Sequence, residues 1–81
     1  MRATIDTATF LRHLDEILEL TPGTLTGAER LEDLEGWDSL AVISFIAMAD
    51  ERYGVIVEGE KLAASRHVSD LLALVERGLA G

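Results

Sequence analysis

The apolar residues Phe10, Leu11, Leu14, Ile17 and Leu18 recur at three- and four-residue spacing, which is one stripe of an amphipathic helix. Asp6 or Thr7 stands ahead of the stripe as an N-cap, so the pattern predicts a first helix over about 6–20. Thr21, Pro22 and Gly23 break it, because proline disfavours a helical residue before it and glycine admits left-handed backbone. No period is sustained from 21 to 37. A connection of that length in a short chain needs a task of its own or a short helical turn, and Leu25, Leu31 and Leu34 are its expected anchors.

The stretch GWDSLAVISFIAMADERYGV, Gly36 to Val55, starts a second helix. Asp38 offers a side-chain oxygen to the unpaired amides of the first turn, and Gly54 terminates the helix, predicted over about 39–53. Its apolar residues cover almost the whole circumference of the wheel, so it needs burial on more than one side. Leu40, Ile43, Phe45, Ile46 and Ala49 are expected to fill the core. Ala41, Val42, Ser44, Ala47 and Met48 are left for a rim or a visiting protein. Val55-Ile56-Val57 reads as an extended loop turning apolar side chains inward, since a lone strand cannot satisfy its backbone. A short third helix follows over about 58–64. Val68, Leu71, Leu72, Val75 and Leu79 stripe a fourth over about 68–79, capped by His67 or Ser69. Helices without a strand ladder bury their stripes on one another. The expected fold is all-α, a small four-helix bundle forming a single domain over 1–81, with a long loop between helix 1 and helix 2.

Composition narrows the function. At 48% hydrophobic residues against 27% charged, the chain can fold despite a net charge of −8. Its 15 acidic and 7 basic residues set up a field that repels phosphate backbones and anionic lipid heads and attracts basic protein surfaces. Nucleic acid and membrane are therefore not expected partners, and the protein is expected to be monomeric. The acidic loop residues Glu29, Glu32, Asp33, Glu35 and Asp38, with Asp50 and Glu51, would steer a basic partner. The chain has no cysteine, so thiol chemistry would require a borrowed sulfur. Met1 to Asp6 lacks the basic and apolar regions of a signal peptide, which makes the cytoplasm the expected location.

The candidate chemistry centres on Ser39. A hydrolase nucleophile would need a base and an orienting group, but only His13 and His67 are present and the flanks do not match a G-x-S-x-G elbow. Ser39 could instead simply start a helix. A third reading makes it an attachment point, whose phosphate ester would meet the free amides and positive end of helix 2. His13 and Glu16 have a metal-compatible spacing but lack a third ligand, so no metal site is expected. Trp37 either packs on the loop leucines or lines the exit of an attached group. Phe45 and Met48 are bundle residues first, and second the candidate lining of a cargo pocket.

The run LEGWDSLAVISFIAMADERYGV, with VSDLLALV after it, resembles an acyl carrier protein over nearly the whole chain. The resemblance implies a four-helix bundle whose Ser39 receives phosphopantetheine from coenzyme A through a phosphopantetheinyl transferase. Asp38 would help that enzyme recognise the site and hold the metal it uses. The chain would then be a carrier and not an enzyme, holding acyl or aminoacyl intermediates as thioesters for a loading synthetase, a ketosynthase or other acyltransferases. The resemblance, together with the apolar second helix, implies a docking surface of Trp37, Leu40, Ala41, Val42, Ser44, Ala47, Met48, Asp50 and Glu51. Fatty-acid carriers usually show acidic residues where Ala41, Ser44 and Ala47 stand here. That difference points to a discrete carrier of a dedicated polyketide, nonribosomal peptide or related pathway. A fatty-acid carrier and an unmodified helical interaction module are the alternatives.

Overall fold

A computed structural model describes residues 5–80. Its elements are α1 (Thr7–Ile17), a single 3-10 turn (Leu31–Asp33), α2 (Ser39–Tyr53), α3 (Gly59–Ala63) and α4 (Val68–Ala80). The described residues form no strand; one isolated antiparallel bridge joins Arg30 to His67. The fold is all-α, with α1 and α4 packed on α2 and α3 packed on α4.

Asp6 caps α1, accepting hydrogen bonds from the Thr9 amide at 3.2 Å and the Thr9 hydroxyl at 2.5 Å. The helix ends at Ile17 rather than near the predicted Leu20, because the chain folds back through Glu19 at φ 58°. There the Glu19 amide donates to the Glu16 carbonyl and the Leu20 amide to the Asp15 carbonyl, the paired bonds of a Schellman ending. At the far end of α2, Gly54 adopts φ 67° and its amide donates to the Asp50 carbonyl. A side chain at this left-handed position would strain the turn.

Phe10, Leu14, Phe45, Val68, Leu71 and Val75 are fully buried and form the centre of the core. Burying each such side chain contributes about 1.5–3 kcal/mol. The rings of Phe10 and Phe45 meet edge to face at 6.1 Å, joining α1 to α2, and Trp37 meets Phe45 at the same distance. Trp37 thus packs against the core rather than standing free.

The orientation of α2 differs from the sequence expectation. Ala41, Phe45, Met48 and Ala49 face inward, at i, i+4, i+7 and i+8, while Leu40 is 71% exposed and Ile43 63% exposed. Ala41 and Met48 therefore belong to the core and not to a docking surface, and Leu40 and Ile43 do not fill the bundle. The aromatic packing explains the rotation: once Phe45 is fixed between Phe10 and Trp37, helical periodicity turns Ala41 and Met48 inward with it. The extended segment after Gly54 also departs in part. Val55 and Val57 are buried, but Ile56, pointing the other way at period two, is 82% exposed.

The long loop is tied down by polar groups. Asp15 on α1 is 1% exposed, and its carboxylate accepts hydrogen bonds from the Gly23 amide at 2.9 Å and the Leu25 amide at 3.2 Å. Glu29 accepts from the amides of Thr26 and Gly27 and from the Thr26 hydroxyl. The loop is also stitched to α4: the Val68 amide donates to the Glu29 carbonyl, Ser69 to Gly27, and Leu31 to Arg66. The first two of these bonds satisfy first-turn amides of α4 that its own helix cannot. Neither the His67 nor the Ser69 side chain caps that helix, as the sequence suggested. Asp70 does so from its third position, accepting from the Arg66 and His67 amides at 2.9 Å each.

Two of these carboxylates, Asp70 and Glu29, make stability depend on acid. The amides of Arg66 and His67 hold the Asp70 carboxyl below its ordinary range. Partial burial pushes Glu29 up, but the Thr26 and Gly27 donors outweigh it and leave that carboxyl low as well. A depressed folded pKa contributes stability that is complete above the unfolded value and lost as pH falls through the folded one. The urea midpoint is therefore expected to hold near neutrality and to fall below about pH 4. Asp70→Asn should show a shallower acid limb; identical limbs would contradict the assignment.

Where α4 passes the extended segment, a Cβ on Gly78 would lie 2.3 Å from Val55 Cγ1 and 3.2 Å from Val55 Cβ. Valine is stiff about χ1 and cannot swing clear. Gly78→Ala should gain about 1 kcal/mol of helix propensity and lose about 1–3 kcal/mol to overpacking. A lower melting temperature is expected, and a higher one would show that the segment yields.

Candidate functional site

Asp38 stands at the N-cap of α2 with extended backbone, and its Oδ1 accepts a hydrogen bond from the Ala41 amide at 2.9 Å. Its carbonyl accepts from the Val42 amide at 2.9 Å, beginning the helical ladder. This clamp fixes the first turn and places Ser39 as the first helical residue. Ser39 is exposed, as are Asp38 and Leu40 on either side. The amides of Ser39 and Leu40 find no acceptor among the described residues. An anion on the Ser39 hydroxyl would thus meet two free donors at the positive end of a 15-residue helix, an arrangement worth about 0.3–1 kcal/mol at an exposed site.

The approach to the serine is held from behind. The Trp37 amide donates to the Leu34 carbonyl and the Asp38 amide to the Gly36 carbonyl, while the Trp37 ring rests on Phe45. Leu31 is buried and Leu34 half-buried. The serine therefore sits on a fixed corner of the bundle, open to a large partner.

Beyond Ser39 the exposed residues Leu40, Ile43, Ala47 and Asp50 follow at helical spacing and make one outward stripe, with Glu51 exposed beside it. Val42 and Ser44 are half-buried. Of the residues predicted for docking, the structure thus gathers Leu40, Ala47, Asp50 and Glu51 on one face with Ser44 at its edge, while Val42 packs against the core and Ala41 and Met48 are buried. Ile43, assigned to the core by its pattern, lies at the centre of that face.

The other polar candidates lie elsewhere. His13 on α1 meets the Tyr53 ring edge-on at 6.2 Å and comes no closer than 4.0 Å to Glu16. No group of three His, Asp or Glu residues among those described could hold a metal ion. His67 is at the loop stitch, 3.8 Å from the Asp70 carboxylate. No helix among the described residues is long and apolar enough to cross a membrane. Sequence reasoning missed Asp15 and Asp70 as structural groups; the acidic residue three positions after His67 was the available signal for the second.

Comparison with known proteins agrees with this geometry. Residues 8–75 match the family described as phosphopantetheine attachment site. The chain is 27% identical over 64 residues to the meromycolate extension acyl carrier proteins of Mycobacterium tuberculosis and Mycobacterium bovis, covering 79% of this chain and 56% of those proteins. The protein of the same name from Mycolicibacterium aurum aligns at 27% identity over 66% of its length. The chain thus spans somewhat over half the length of the first two relatives. No solved structure gives a significant match. An exposed serine at a clamped helix start, with donors free for a phosphate, fits the prosthetic group that the matched family carries. The chain belongs to the family described as phosphopantetheine attachment site.

Proposed function

We propose that Ser39 is the attachment residue and that the chain presents acyl or aminoacyl intermediates to the enzymes of one dedicated pathway, such as polyketide or nonribosomal peptide synthesis. The observation that carries this reading is the exposed Ser39 at the first position of α2, beside two amides without acceptors. Phosphopantetheine supplies a terminal thiol that holds cargo as a thioester, chemistry this cysteine-free chain has no side chain to perform. The protein's own contribution is positional. Asp38 fixes the first turn and marks the site for the transferase, and the Ser39 and Leu40 amides face the phosphate. The tether then raises the local concentration of cargo at each docked enzyme without any tight contact.

Leu40, Ile43 and Ala47 form the docking strip, with Asp50 and Glu51 steering basic partners among transferases, loading synthetases and ketosynthases. Serine and alanine at Ser44 and Ala47, where fatty-acid carriers usually bear acidic residues, support a dedicated pathway over general fatty-acid synthesis. Ala41 no longer enters that comparison, because it is buried. Cytoplasmic residence is proposed with this function.

The test is loading by a promiscuous phosphopantetheinyl transferase with coenzyme A. Wild type should be loaded to completion. A Leu40→Glu, Ile43→Glu double variant should keep its melting temperature, since both side chains are exposed, and lose roughly tenfold or more in kcat/KM for loading. Unchanged kinetics would place docking on another face.

A further inference from the structure

The chain is strongly acidic, yet three of its seven cations line one groove away from α2. Asp70, Ala73, Leu74 and Arg77 follow at i, i+3, i+4 and i+7 on α4, forming one wall, and Lys61 and Arg66 stand across it. The cavity between them measures about 350 Å³. At 1.5 Å per residue, Asp70 and Arg77 lie about 10 Å apart along the helix axis, so the α4 wall of the groove runs roughly two turns.

The charges in the groove are largely uncommitted. Neither Arg66 nor Arg77 has a carboxylate within ion-pair distance among the described residues. Lys61 lies 3.0 Å from Glu58, but both side chains are about two-thirds exposed and the ammonium keeps further donors. The one carboxylate in the lining, Asp70, is engaged through Oδ2 with two backbone amides. Half-buried Leu74 supplies an apolar floor.

We propose that this groove docks an acidic amphipathic helix of a partner protein, with carboxylates at i, i+4 and i+7 meeting Arg66, Lys61 and Arg77 and one apolar side chain resting on Leu74. Charge complementarity selects the occupant. A basic partner steered by the field of the whole chain has no reason to settle among three cations. A long polyanion would suffer the repulsion of the remaining surface, whereas a two-turn acidic segment fits the cations alone. The groove shares no residue with the Ser39 face, so a carrier could hold this contact while its α2 face engages a second enzyme. The contact does not depend on Ser39.

The probe is an N-acetylated, C-amidated, alanine-rich peptide of about 15 residues with glutamates at that spacing and a leucine between them, long enough to be partly helical. It is titrated into the isotope-labelled full chain and followed by amide chemical shifts. Saturable shifts confined to Lys61, Arg66, Ala73, Leu74 and Arg77 are expected, weakening with salt and vanishing when the peptide glutamates become glutamines. Arg77→Gln with Lys61→Gln should weaken binding at least tenfold while leaving the melting temperature and transferase loading unchanged. The same result with Ser39→Ala would show that the groove is independent of the attachment site. The proposal is overturned if the shifts fail to saturate or spread over the surface. It is equally overturned if inorganic phosphate or a short single-stranded DNA saturates the groove at lower concentration than the peptide, or if the shifts arise from self-association without peptide.

Discussion

Replacing Ser39 by alanine in the native host is expected to abolish the pathway's product outright, with the protein still folded and present at wild-type level. The side chain is exposed and contributes no hydrogen bond to another described residue, so its loss removes one hydroxyl and no packing. Asp38 still clamps the first turn through the Ala41 amide, and the fold should melt within a few degrees of wild type. A helical module that functions without the arm would tolerate this change, because Leu40, Ile43 and Ala47 remain in place. Complementation with Ser39→Ala therefore separates a carrier from a docking module: loss of product supports the former and retention the latter.

Asp15→Ala is expected to be the most damaging single polar substitution in the fold. The buried carboxylate is the acceptor for the Gly23 and Leu25 amides, and Leu25 is itself in the core. Alanine would leave the buried Leu25 donor unpaired at about 1–3 kcal/mol and cost about 1 kcal/mol more at the exposed Gly23 amide, which water can reach, so a total near 2–4 kcal/mol is expected. A domain of this size has only about 4–12 kcal/mol in hand, and the melting temperature should fall by roughly 10–25 °C. Asp15→Asn keeps one acceptor oxygen and should fall between the two. Thermal melts by circular dichroism give the answer; a shift of only a few degrees for alanine would mean that water replaces the carboxylate.

The contrast between Asp15, Ser39 and the helical stripes shows what was legible in the sequence. In α1 and α4 polar residues bound the apolar stripe on both sides, so Phe10, Leu14, Val68, Leu71 and Val75 could be placed in the core from spacing alone. In α2 nearly every position is apolar, and the wheel fixes no preferred rotation. Only tertiary contact decides, and the Phe10–Phe45–Trp37 aromatic packing sends Ala41 and Met48 inward and Leu40 and Ile43 outward. Asp15 was invisible for a related reason. A carboxylate beside an apolar stripe ordinarily faces water, and its partners, eight and ten residues on, lie beyond any helical period. The Ser39 site was legible because its chemistry is local: an N-cap, a hydroxyl and the free amides of one turn all fall within a few residues of one another.

The account rests most heavily on Ser39 as the point of covalent attachment. Wild type and Ser39→Ala should be incubated with coenzyme A and a promiscuous transferase, then analysed by intact mass and fragmentation. One phosphopantetheine is expected on the wild-type chain, localised to Ser39, with none on the variant. Equal addition to both chains, or none to either, would contradict it.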